Sequence, residues 1–318
     1  VRTINSAEFS LIRRFASAFH PPAAPRGPGD DCAVLPASRS ELCVTVDAVV
    51  EGVHFTRRYF GFEDIGHKAL AVNLSDLAAA GARPSWFLCA LAIPKRLGVE
   101  PVMTIARGMS ALARAHGVEL LGGNVTAARE LSITITAAGA VRKGRALTRG
   151  GARSGDRLYV SGTLGDARLA LRMWRRGERT PAEARQLRPS PRVKLGQLST
   201  KFAHAAIDIS DGLAQDLAQL CSSSRVGAQV DVARLPVSSE LRRRAGSDLR
   251  AAKWALAGGE DYELLIAVPP HRSAAFERAC ARAGEQVRDV GAITRAARVV
   301  FSFRGHAIRA PLGYDHLA

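Results

Sequence analysis

A chain of 318 residues that is 47% hydrophobic can bury a sizeable core, and its length favours two domains over one. Its formal charge of +16 comes from 45 basic against 29 acidic residues, with 39 Arg and only 6 Lys. The arginines are spread along the chain, and runs such as Arg172, Arg175, Arg176 and Arg179 read as solvated helix faces. That argues against a nucleic-acid-binding protein, although a basic surface still draws polyanionic substrates toward it. No stretch approaches a membrane span, and the charged opening VRTINSAEFSLIRRF lacks the apolar core of a secretion signal, which gives a cytoplasmic expectation. The 5 cysteines contain no C-x-x-C pair, so neither a zinc site nor a disulfide framework is expected.

Residues 8–19 carry apolar positions at helical spacing and run into a loop of Pro and Gly at 21–29. Residues 41–50 read as a strand, 64–80 as a helix stopped by Gly81, and 86–93 as a buried strand. Pro101 opens a helix that runs to His116 and stops at Gly117, and strands follow at 118–121 and 131–141. Between Lys143 and Asp156 the apolar period is lost, which places a domain boundary there and gives domains 1–142 and 143–318. The second half restarts with a strand at 157–162, helices from Gly165 and Pro191, a strand at 205–210 and a helix beyond it. Strands near 228–232, 262–268, 286–292 and 297–303 complete an α/β chain of mixed α+β sheets.

Acidic residues, or an amide in their place, interrupt apolar sequence at Asp30 and Asp31, Asp47, Asp76, Asn124, Asp208 and Asp211. An isolated carboxylate moved into a low-dielectric interior costs on the order of 20 kcal/mol by idealised estimates, so such groups need cations. Asp47 has no basic residue after it until Arg57, and hard oxygen ligands suit Mg²⁺ shared with substrate phosphates. The plain alternatives are turn residues at Asp30 and Asp31 and a helix cap at Asp211. Glycine-rich turns at Gly122-Gly123-Asn124, Gly162 to Gly165 and Gly258 to Asp261 are candidate phosphate cradles, while the P-loop and dinucleotide-binding fingerprints are missing from the sequence.

Taken in order, GDDCAVL at 29–35, VDAVVEGVHF at 46–55, KALAVNLSDLAAAGARP at 68–84, GGNVT at 122–126 and GRALTR at 144–149 resemble the thiamine-monophosphate kinase family. The match continues through SGTLGD at 161–166, LRPSPR at 187–192, IDISDGL at 207–213, GGEDYEL at 258–264 and GYDH at 313–316. That family lies within the aminoimidazole-ribonucleotide-synthetase-like, or PurM-like, superfamily.

The resemblance implies a two-domain PurM-like fold and a homodimer joined through a β-barrel-like interface of N-terminal domains. It implies direct transfer of the γ-phosphoryl group of ATP to thiamine monophosphate on several Mg²⁺ ions. Asp31, Thr45, Val46, Asp47, Asp76, Asn124, Asp208 and Asp211 would hold metal, with Asp208 and Asp211 closest to the chemistry. Gly123, Asn124, Arg149, Ser210 and His116 would meet the nucleotide, and His54, Glu260 and Tyr314 the substrate. Asn124 stands where the family is expected to carry Asp, which keeps an oxygen ligand but removes a charge. The rival readings are another ATP-using enzyme of the superfamily and a basic nucleic-acid binder.

Overall fold

The computed structural model of the protein describes residues 33–37 and 40–309, so the helix expected over 8–19, and the candidates Asp31 and Tyr314, lie outside the described residues. Strands β1 (Ala33–Ala37) and β2 (Ser40–Val50) lead to helix α1 (Phe62–Ala79), followed by β3 (Arg83–Pro94), α2 (Val99–His116), β4 (Glu119–Ala128) and β5 (Ser132–Arg142). The second half contains β6 (Arg157–Ser161), α3 (Asp166–Trp174), α4 (Glu183–Leu187), α5 (Val193–Ser199), β7 (Ala205–Ile209), α6 (Leu213–Ser224) and β8 (Gly227–Asp231). It ends with α7 (Ser239–Ala245), α8 (Asp248–Ala257), β9 (Glu263–Val268), α9 (Pro270–Ala283), β10 (Val287–Thr294), β11 (Val299–Phe303) and β12 (His306–Ile308).

The first sheet has the order β1-β2-β5-β3-β4 and the second β12-β11-β8-β10-β6-β9-β7. In the second sheet the strand alternation sorts side chains into two cores. Tyr159, Ala206, Leu264 and Ile266 join the core shared with the first sheet, whereas Leu158, Val160, Ile207 and Leu265 join the core beneath α6 and α8. Helix α1 lies in the shared core with 13 of its 18 residues buried, among them four alanines and three leucines. A helix apolar on nearly every side has no solvent face to offer, so it is an interior element. Its crossing with α2 is close because Gly66 and Gly108 sit at the contact: a Cβ at Gly108 would lie 2.0 Å from the Glu63 carbonyl oxygen.

Two differences from the sequence reading are informative. Helix α2 begins at Val99, two residues before Pro101, because the N–H groups of a first turn have no helical partner and proline there forfeits nothing. The strand expected to end at residue 121 continues to Ala128 and carries Gly122-Gly123-Asn124 inside it. The apolar period also left β1, α4, α7, α8, α9 and β12 unmarked. In α9 only Phe276 and Cys280 are buried, too narrow a stripe to register as amphipathic. Among the described residues no helix is long and apolar enough to cross a membrane.

The α1–α2 crossing yields a stability prediction. Gly108→Ala must push the two helix backbones apart and is expected to lower unfolding free energy by about 1–3 kcal/mol or more, measured by urea denaturation; an unchanged midpoint would show that the crossing is loose.

Candidate active site

Strand alternation and one helix face assemble the site. On β2, Cys43, Thr45 and Val49 are buried toward α1, and Asp47 shares their side of the strand while remaining exposed, so it looks into the opening beside the helix. On β7, Asp208 alternates with the buried Ile207 and Ile209 and so shares the side of Ala206, which belongs to the core containing α1. Helix α1 then supplies a partner to each sheet. Thr45 Oγ1 donates to Asp76 Oδ2 at 2.5 Å, and Ser75 Oγ donates to Asp208 Oδ2 at 2.7 Å across the two halves of the chain.

The second junction lies one face-repeat earlier on α1, at Lys68, which is only 1% exposed. Its ammonium donates to Glu260 Oε1 at 2.5 Å and to the His54 carbonyl at 3.2 Å, and it lies 5.1 Å from the centre of the Phe60 ring. The His54 ring is turned back to its own loop, with Nδ1 accepting the Val50 N–H at 3.1 Å. Thus His54 and Glu260, assigned to substrate through resemblance, are joined by a cation that the sequence reading passed over. A lone Lys inside an apolar helix pattern carries no local signal of its own; the clue was that KALAVNLSDL leaves Lys68 on the same face as Ser75.

The turn between α8 and β9 presses against the start of α6. Glu260 donates its N–H to the Ser210 carbonyl at 2.7 Å and Tyr262 donates to Ile209 at 2.9 Å. Both residues have left-handed backbone, at φ 65° and 50°, which is strained for side chains of this size. Such strain persists where surrounding contacts over-determine it, and here the two backbone bonds do so. Burial holds the Tyr262 phenol well above its ordinary pKa, and the charges of Glu260, Asp47, Asp208 and Asp76 add to the effect. The phenol therefore stays neutral, and four carboxylates, from β2, α1, β7 and the turn before β9, lie close enough to act on it.

Asp211 is not the helix cap. The N–H groups of Asp211 and Gly212 go to Asp216 Oδ2 at 3.2 and 3.0 Å, and the Asp211 carboxylate instead accepts from Gln215 at 3.0 Å. Arg149 starts a short 3₁₀ turn whose carbonyl is bound by Ser224, just after Thr148 accepts the Ala206 N–H two residues upstream of Asp208. The structure therefore gathers Thr45, Asp47, Asp76, Asp208, Glu260 and His54 around α1, with Val46 next to Asp47 in β2, Ser210 joined to Glu260 through its carbonyl, and Asp211 following Ser210 at the start of α6.

Three assignments fall elsewhere. Gly122-Gly123-Asn124 is a segment of edge strand β4 rather than a phosphate-cradling turn, and a Cβ at Gly123 would lie 1.9 Å from the Cys89 carbonyl oxygen. Asn124 registers with Ala90, Thr134 and Ala48, so it lies on the side of the sheet opposite Asp47 and three strands away, about 14 Å at the usual strand spacing. Within the chain, the Asn124 amide is not brought to the carboxylates around α1. His116 ends α2 close to His67, whose Nε2–H donates to the Pro189 carbonyl at 2.9 Å.

Burial holds both His67 and His116 below the ordinary 6.5. The unfolded chain then binds protons at a higher pH than the folded one, so stability is full above 6.5 and falls as pH drops toward the lowered values. Urea unfolding at about pH 7.5 and 5.5 should show this loss, and a His67→Gln, His116→Gln variant should lose less.

The description "AIR synthase related protein" fits the chain twice, its N-terminal domain over residues 29–141 and its C-terminal domain over 153–303. The thiamine-monophosphate kinase of Escherichia coli (strain K12) is 38% identical over 323 residues, covering 98% of this chain and 98% of that protein. That of Bacillus subtilis (strain 168) is 33% identical and covers 97% and 99%. The structure of AaThiL complexed with AMPPCP and TMP superposes with a TM-score of 0.86 at 32% identity, over 97% of this chain and 96% of that one. With near-complete coverage on both sides, the chain belongs to the thiamine-monophosphate kinase family of AIR synthase related proteins.

Proposed function

We propose that this chain transfers the γ-phosphoryl group of ATP directly to the phosphate of thiamine monophosphate, releasing thiamine diphosphate and ADP. The observation that carries the reading is the meeting of carboxylates from two sheets on one helix, with Ser75 bonded to Asp208 and Thr45 to Asp76. In the transfer a phosphate oxygen of thiamine monophosphate attacks the γ-phosphorus, the bond to the β,γ-bridging oxygen breaks, and ADP leaves with that electron pair. An ionised phosphate is already a nucleophile, so no strong base is required, and rate comes from alignment and charge neutralisation.

The donor set fits Mg²⁺. Asp47, Asp76, Asp208 and Asp211 offer only hard oxygens, the donor type that Mg²⁺ prefers. Among the described residues no three His, Cys, Asp or Glu side chains form a set able to hold an ion unaided. Mg²⁺ is usually held by one or two carboxylates with waters and substrate phosphates completing its shell. Asp47, Asp76, Asp208 and Asp211 would hold it, joined by Asp31, the Thr45 hydroxyl and the Val46 carbonyl. A Mg²⁺ ion held by these residues would supply charge neutralisation for the transferring phosphates. Ser75 and Thr45 keep Asp208 and Asp76 oriented, Ser210 and Arg149 face the nucleotide, and Glu260, His54 and Tyr314 hold thiamine monophosphate. In this reading residues 1–142 form the metal- and ATP-binding and dimerising domain, and 143–318 form the C-terminal domain that adds Asp208 and Asp211 to the site.

The subunit is proposed to be a homodimer. Val46, Leu88, Leu120, Leu121 and Val125 are 41–66% exposed on the outer side and free edge of the first sheet, an apolar surface of the kind that marks an interface.

Purified protein with ATP, Mg²⁺ and thiamine monophosphate should form thiamine diphosphate, resolved by chromatography, and none should form with thiamine monophosphate alone. Asp208→Asn should reduce turnover by roughly a hundredfold or more, and Ser75→Ala by about 10- to 100-fold, as expected for a residue that orients a ligand. Wild-type rates in both variants would remove the proposed site. In sedimentation the wild type should run as a dimer and Leu88→Glu, Val125→Glu as a monomer.

A further inference from the structure

Glu260 is gripped at both carboxylate oxygens, one from each half of the molecule. Lys68 Nζ takes Oε1 at 2.5 Å, and Gln186 Nε2 donates to Oε2. Gln186 is 1% exposed, and its own Oε1 is buried without a hydrogen-bond partner among the described residues. Its amide has one sensible orientation, since flipping it would set an oxygen against a carboxylate oxygen.

Behind Gln186 stands a second carboxylate. Glu263 is fully buried and receives Arg192 through Nε at 2.6 Å and Nη2 at 2.5 Å, Ser161 Oγ at 2.5 Å, and the Arg185 guanidinium. Two guanidinium partners and a hydroxyl satisfy a buried charge that would otherwise be prohibitive, and charge-assisted bonds of this kind are stiff. Arg185 immediately precedes Gln186 in α4, so the buried ion cluster ties α4 to the strand that begins just after Glu260. The left-handed backbone at Glu260 removes the slack that a regular conformation would leave.

We propose that Gln186 is a positioning residue for the substrate pocket: it fixes the Glu260 carboxylate from the second half of the chain while Lys68 fixes it from the first. This rests on the reading of Glu260 as a group that holds thiamine monophosphate. Losing a hydrogen bond to a charged group weakens what that group binds by about tenfold or more. The nucleotide is assigned to Ser210 and Arg149 and not to the Glu260 carboxylate, so its affinity is expected to be unaffected by the change.

Steady-state kinetics and calorimetric titration on the full chain test this. Gln186→Leu should raise KM and Kd for thiamine monophosphate about tenfold, with kcat, and the affinity for a non-hydrolysable ATP analogue, unchanged within about twofold. Gln186→Glu supplies a readout that loss of packing cannot imitate. Two carboxyls in contact cannot both ionise, so a shared proton restores the grip at acidic pH and its loss releases it. KM for thiamine monophosphate should therefore rise with pH in that variant relative to wild type. Equal thiamine monophosphate affinity in wild type and Gln186→Leu would overturn the proposal, as would a pH-independent ratio in Gln186→Glu or an equal loss for both ligands. Failure of the wild type to bind thiamine monophosphate would instead overturn the reading of the pocket, a distinguishable result.

Discussion

The fold depends on burying one helix on all sides while it still carries polar groups. Helix α1 lies between two sheets, and Lys68 and Ser75, both buried, would each be costly there alone. Each is satisfied by a carboxylate of the second half, Glu260 and Asp208, while the half-exposed Asp76 is met by Thr45 of the first. The bonds that make the interior tolerable are therefore the bonds that hold the two halves in register. Correct docking and site assembly become one event.

Negative charge is concentrated where the docking occurs. Asp47, Asp76, Asp208 and Glu260 all act on the Tyr262 phenol, and Glu260 is paired with Lys68. The chain as a whole has the opposite character, at +16 overall, and a basic protein draws polyanions such as nucleotides toward it. Strain adds to the same region: Glu260 and Tyr262 keep left-handed backbones because Ser210 and Ile209 accept their N–H groups.

The buried Glu263 cluster illustrates a different use of charge. Arg185, Arg192 and Ser161 satisfy it completely, so it contributes rigidity rather than reactivity. The neighbouring Asp261 is wholly buried and is pushed well above the usual carboxylate range chiefly by desolvation, while its Oδ2 accepts the Gly165 N–H at 2.8 Å. The three acidic positions of the GGEDYEL segment, Glu260, Asp261 and Glu263, thus serve distinct ends, and chemical type alone does not distinguish them.

Much of this was readable along the chain. Strong periods marked α1, β2, β5 and β9, since strands and helices with full apolar faces declare themselves locally, and the ordered motifs pointed to the family. The convergence of Asp47, Asp76 and Asp208 was legible only as a shared need for cations. Which carboxylate met a hydroxyl, and which a lysine, depended on how α1 is rotated between the sheets, and no local pattern encodes that. Asn124 shows the reverse case: its motif reads as a turn, but β3 extends it into a strand and the pleat directs it away from Asp47. Lys68, Gln186 and Tyr262 carry no signature of their own, because their importance arises from partners 192, 74 and more than 50 residues distant in sequence. Residue chemistry and local period determined the elements and the need for positive charge, whereas pairings across the interior were decided by the docking of two sheets on one helix, which is a property of the whole fold.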